Sequence, residues 1–107
     1  MNRRTFDELL LTAIDEALNS LGESVKQSIY YHIENRFSVE RSTIPENLEN
    51  FQAGLEKLFG TGARFIEILI MKNLHDKIGS LPLEMEEGHQ LEFIDYVTAA
   101  EKSYLTE

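Results

Sequence analysis

The chain has 107 residues, 42% of them hydrophobic and 27% charged, with no cysteine and a formal net charge of -9. That length gives room for one domain with one modest core, and the composition is that of a folding globular chain rather than a disordered or fibrous one. Absence of cysteine excludes disulfides and thiolate metal sites, and the acidic balance argues against general nucleic-acid binding, which needs clustered Lys and Arg against phosphate.

Along the chain, Thr5 followed by Glu8 forms a capping-box pattern, in which each side chain can satisfy the other residue's backbone N–H. A first helix is predicted from there, with Phe6, Leu9, Leu10, Ala13, Ile14, Ala17, Leu18 and Leu21 on one face and Gly22 as its stop. Leu11 falls off that face, where it is either an ordinary exposed leucine or part of a contact with another subunit. Ser24 and Gln27 repeat the capping pattern and open a second helix carrying Val25, Ile29, Ile33 and Phe37 on one stripe. The short joint at Gly22-Glu23 predicts an antiparallel or steeply angled helical pair.

Thr43-Ile44-Pro45-Glu46 predicts the start of a third helix, with Thr43 as cap and Pro45 in the first turn, where its missing N–H costs nothing. Leu48, Phe51, Leu55, Leu58 and Phe59 form its expected buried face, and Gly54 in its middle implies a close helix approach. Gly60 ends it, Thr61 caps a fourth helix, and Gly79 terminates that one after Ile78. The run Phe65-Ile66-Glu67-Ile68-Leu69-Ile70-Met71 is apolar on almost every side, yet too short and too interrupted to cross a bilayer. It must be wrapped by other helices or paired with a second subunit. Leu81-Pro82-Leu83 reads as extended, and a weaker fifth helix is predicted from about Gln90 to Tyr104 with Leu91, Ile94 and Val97 inward. No strand-like alternation, repeat or low-complexity run is evident.

The charge is uneven. Residues 80 to 107 carry Glu84, Glu86, Glu87, Glu92, Asp95, Glu101 and Glu107 against Lys102 alone. The expected layout is a helical core domain over residues 1–79 and an acidic C-terminal extension over 80–107, partly helical and packed on the core. The residues Met1 to Glu8 lack the apolar run of a signal peptide, so the expected location is cytoplasmic, with no membrane association.

On the fourth helix Arg64, Glu67, Met71 and His75 stack along one stripe. A carboxylate on a mainly apolar face has its pKa raised by desolvation and lowered by a nearby arginine, a balance that occurs in functional sites as well as in interface salt bridges. With Tyr30 and Tyr31 these residues define a candidate ligand site: Tyr30, Tyr31, Arg64, Glu67 and His75. Only Glu86 and His89 show a helical metal-ligand step, without a second copy, so no metal and no cofactor are expected. Gly60-Thr61-Gly62 follows a helix rather than a strand and lacks the phosphate-loop lysine. A helix-turn-helix reading would present Glu46, Glu49 and Glu56 against Lys57 to DNA, which phosphates would repel, so a DNA-associated regulator is a distant alternative.

Ala13-Ile14-Asp15-Glu16-Ala17-Leu18, Leu21-Gly22-Glu23-Ser24-Val25-Lys26, Ile29-Tyr30-Tyr31-His32, Ile44-Pro45-Glu46, Phe51, Leu58-Phe59-Gly60 and Leu69-Ile70 together carry a family likeness. Residues 9–79 resemble a small helical domain of archaea, the Nitrosopumilus-type output domain of signalling proteins. That resemblance implies a cytoplasmic archaeal protein linked to signal transduction, and it supplies no catalytic residues. The fold expectation is all-α, a small orthogonal or antiparallel bundle of four core helices plus a C-terminal acidic helix. The functional expectation is a non-enzymatic protein-interaction or signalling output module that pairs as a homodimer through the apolar fourth helix, with Ile66, Leu69 and Ile70, or through the Leu11 side. The alternative is a small-molecule or anion sensor with its pocket near Arg64 and Glu67.

Overall fold

The three- and four-residue spacing of apolar side chains is realised as helix: α1 spans Arg3–Asn19, α2 Glu23–Phe37, α3 Leu48–Phe59, α4 Ala63–Ile78 and α5 Phe93–Leu105. These elements come from a computed structural model, which describes residues 3–79 and 92–106; no strand occurs among them. The extended reading of Leu81-Pro82-Leu83, the helix start near Gln90, the inward Leu91 and the pair Glu86 and His89 lie outside the described residues.

α1 and α4 form the most extensive helix pair, and the other elements assemble around them. α2 packs on α1 and α3, α3 packs on α4, and α5 lies against α4 and α1. The α1 stripe is buried through Phe6, Leu10, Ala13, Ile14, Ala17 and Leu18. Leu11 is half-buried and packs against this core rather than standing free on the surface. From α4 come Ile66, Ile70, Met71 and Leu74, and from α3 Phe51 and Leu55. α5 adds Phe93, Tyr96, Val97 and Ala100 to the same cluster, with the Phe93 and Phe51 rings 6.4 Å apart. Its inward face therefore runs through Phe93 and Tyr96, one position away from the expected Ile94, which is half-buried.

Helix ends depart from the expected caps in a consistent way. α1 begins at Arg3, whose guanidinium reaches Glu101 of α5 at 3.0 Å, so Thr5 sits inside the first turn. α2 starts directly from Gly22, whose φ of 115° turns the chain without any side-chain cap; Gln27 donates to Glu23 at 2.8 Å instead of serving Ser24. Thr43 to Glu46 belongs to a separate 3-10 turn, Arg41–Glu46, in which the Thr43 hydroxyl donates back to the Glu40 carbonyl at 2.9 Å. Asn47, at φ -135° and ψ 41°, breaks the chain between that turn and α3. The break lets Ile44 enter the core completely while α3 turns Phe51 and Leu55 inward. Thr61 lies in the 3-10 turn Gly60–Gly62 and makes no cap for α4.

Gly54 meets the expectation of close approach. A Cβ placed there would fall 2.5 Å from Ile33 Cδ1 and 3.0 Å from Phe37 Cδ2, so α2 and α3 touch across a missing side chain. Two faces stay open: Val25 and Phe59, both expected inside, are 39% and 38% exposed.

Candidate functional site

Once α1, α3 and α5 cover α4, its apolar run divides into two surfaces. Inward, at steps of three and four, lie Ala63, Ile66, Glu67, Ile70, Met71 and Leu74. Outward lie Phe65, 60% exposed, then half-buried Ile68 and Leu69, then exposed Lys72 and Asp76. Phe59, the last residue of α3 before the Gly60–Gly62 turn, is also partly exposed.

Glu67 is only 3% exposed and is the one buried charged residue type among the described residues. Burial pushes its carboxyl above the ordinary value of 4.5. A hydrogen bond from Gln52 on α3 opposes that rise, Glu56 adds to it, Arg64 opposes it, and Glu92 adds to it. Its Oε2 atom has no hydrogen-bond partner. Gln52 is thus the partner that the sequence left unnamed, and it satisfies one carboxyl oxygen while the other is left bare in a poorly hydrated place. Arg64, one turn earlier, places Nη1 3.5 Å from Glu92 Oε1 at the entrance to α5.

Tyr30 belongs to a different network. Its hydroxyl donates to Asp15 Oδ1 at 2.6 Å, and Arg41 Nε donates to the same oxygen at 3.0 Å. Arg41 Nη2 also donates to Asp15 Oδ2, which makes the pair bidentate. Partial burial works to raise the Asp15 pKa, but the hydrogen bonds from Arg41 and Tyr30 outweigh it and hold the carboxyl below 3.8. Burial first, then the hydrogen bond to Asp15 and the Asp15 charge, raise the Tyr30 phenol well above 10.0, and Arg41 opposes that rise. This cluster ties α1 to α2 and to the Arg41–Glu46 turn, so it is a fastening of the fold.

The five residues expected to line one pocket are therefore spread over separate places. Tyr30 is held by Asp15, and Tyr31 is 62% exposed with its ring edge-on to His32. Arg64 reaches towards α5, Glu67 faces α3, and His75 lies two turns further along α4 with Nδ1 buried and without a partner. Among the expected interface residues, Ile66 and Ile70 are covered by the chain's own helices and are out of reach of a partner. Leu69 stays on the outward face, where Phe65 and Ile68 take the places assigned to the buried isoleucines. Phe65 could have been picked out from its spacing with Ile68, Leu69 and Lys72, which is the same three- and four-residue step that defines buried faces.

Other features are modest. A cleft of about 160 Å³ between α1 and α5 is lined by Phe6, Leu10 and Val97 with Asp7, Glu46 and Glu101 at its edge. Burial, then the Glu101 charge, raises the Asp7 carboxyl, Arg3 opposes this, and Glu46 adds to it. The buried Tyr96 hydroxyl has no partner, and burial together with the Asp76 charge pushes its pKa up to about 12. Among the described residues no group of three or more His, Asp or Glu side chains is placed to hold a metal ion, and no helix is long and apolar enough to cross a membrane. No family model, curated protein or solved structure matches this chain.

Proposed function

We propose that this chain is a non-enzymatic interaction module that pairs with a second copy of itself through the outward face of α4. The observation that carries this reading is Phe65, a large aromatic side chain 60% exposed and flanked by Ile68 and Leu69. Exposed apolar side chains gathered on one face mark docking surfaces more often than chance exposure does. Self-pairing is favoured by the order of residues along that face. An antiparallel pairing of two α4 helices about a two-fold axis near Ile68 and Leu69 sets Phe65 of each copy opposite Lys72 of the other. One apolar centre and two ring-to-ammonium contacts then arise from a single surface.

The likeness of residues 9–79 to archaeal signalling output domains supports a place in signal transduction, where such a module would report its state by assembly. Phe65→Glu tests the reading. Because Phe65 leaves the core untouched, the variant should keep the helical content of the wild-type chain and run as a monomer in sedimentation velocity, while the wild type runs as a dimer. A wild-type chain that stays monomeric to concentrations of about 100 μM would overturn the proposal.

A further inference from the structure

Glu67 is the buried titratable group that the docking surface does not use. It sits where α3, α4 and the start of α5 meet, and the described groups acting on it come from each of those elements: Gln52 and Glu56 from α3, Arg64 from α4, Glu92 from the residue preceding α5. Arg64 thus acts on two carboxyl groups, Glu67 and Glu92. Arg64 is placed on Glu92 at 3.5 Å, a contact between two parts of the chain distant in sequence, while Oε2 of Glu67 goes without a hydrogen bond. A charged carboxylate bare of partners in such a place is costly, and a neutral one costs much less.

We propose that the proton on Glu67 operates the docking of α5: with Glu67 neutral, Arg64 keeps its contact with Glu92 and the first turn of α5 is held on the core, whereas charged Glu67 draws Arg64 away from Glu92 and releases it. The proton comes from solvent and returns to it, and no covalent bond changes. The direction follows from burial. The docked state binds this proton more tightly than a state in which Glu67 is hydrated, so acid favours docking, and docking weakens as pH rises above 4.5 through the raised value. Phe93, Tyr96 and Val97 are fully or almost fully buried, so movement of α5 would uncover apolar surface and turn a proton into a change of binding surface.

Hydrogen exchange on the full chain tests this directly, with α5 protection factors expressed relative to those of α1 at about pH 5 and about pH 7.5. The expected result is α5 protection about two- to fivefold greater at the lower pH, the range set by loss of one exposed ion pair. Glu67→Gln should give the high protection at both pH values, and Glu92→Gln the low protection at both. A wild-type ratio that does not change with pH, or a Glu67→Gln protein that keeps the wild-type dependence, would overturn the proposal. Should Glu67→Gln fail to fold, carboxyl NMR of the wild type decides. A Glu67 midpoint above 4.5 that coincides with the change in α5 protection supports the switch, and a midpoint at or below 4.5 sinks it.

Discussion

Replacing Gly54 by alanine sets two effects of known sign against each other. Alanine in a helix interior gains about 1 kcal/mol over glycine. Here, however, the added methyl would lie 2.5 Å from Ile33 Cδ1 and 3.0 Å from Phe37 Cδ2, where carbon atoms normally rest at about 3.5–4.0 Å. Ile33 is fully buried, so its terminal methyl can move only by repacking against its neighbours, and Phe37 is half-buried with the Arg36 guanidinium 5.6 Å from its ring centre. Overpacking of this kind costs about 1–3 kcal/mol, and two contacts at once put the site in the upper part of that range. The expected net effect is destabilisation by about 1 kcal/mol, a fall in the thermal midpoint of roughly 4–8 °C by circular dichroism. Ile33→Val deletes the offending atom, so in the G54A background it should cost at least about 0.5 kcal/mol less than it does alone. A G54A protein more stable than wild type, or strict additivity in that cycle, would refute the close-approach reasoning.

Tyr30→Phe removes one of the donors to Asp15 and leaves Arg41 in place, so unfolding in urea should show a loss of about 1 kcal/mol. Because Asp15 is held below 3.8, its contribution is present above that value and disappears as pH falls through the folded-state value; acid titration of the wild type and of Arg41→Ala should differ in that window and converge below it. Phe93→Ala should cost about 3–5 kcal/mol by the same urea measurement, since its ring is fully buried against Phe51. A cost under about 1.5 kcal/mol would show that α5 is peripheral to the core.

What the sequence made legible was periodic. The faces of α1 and α3 followed from residues three and four apart, and the stops at Gly60 and Gly79 followed from glycines that adopt φ of 59° and 91°. Caps were the least legible feature, because Ser24, Thr43 and Thr61 match local patterns that α2, α3 and α4 do not use. Gly22 turned the chain by itself, and burial of Ile44 drew Thr43 to Glu46 into a 3-10 turn. α2 was weakly legible for a related reason: of its expected stripe Ile29 and Ile33 are buried, while Phe37 is half-buried and Val25 is exposed. The partners of Asp15 and Glu67 could not be read at all, since they come from elements 15 or more residues away: Tyr30, Arg41 and Gln52. On α4 the all-round apolar pattern showed that cover was needed, but which residues received it depends on where α1, α3 and α5 lie.

The pairing of α4 with a second copy is tested most directly by a single cysteine at Leu69, in a chain that has none of its own. Near a two-fold axis, two such thiols are brought close enough to join, while a cysteine at exposed Thr12 of α1 lies on another face and serves as control. Under mild oxidation Leu69→Cys should convert to a disulfide-linked dimer rapidly and nearly completely, and Thr12→Cys should remain monomeric. Equal and slow crosslinking of the two variants would contradict self-pairing through this face.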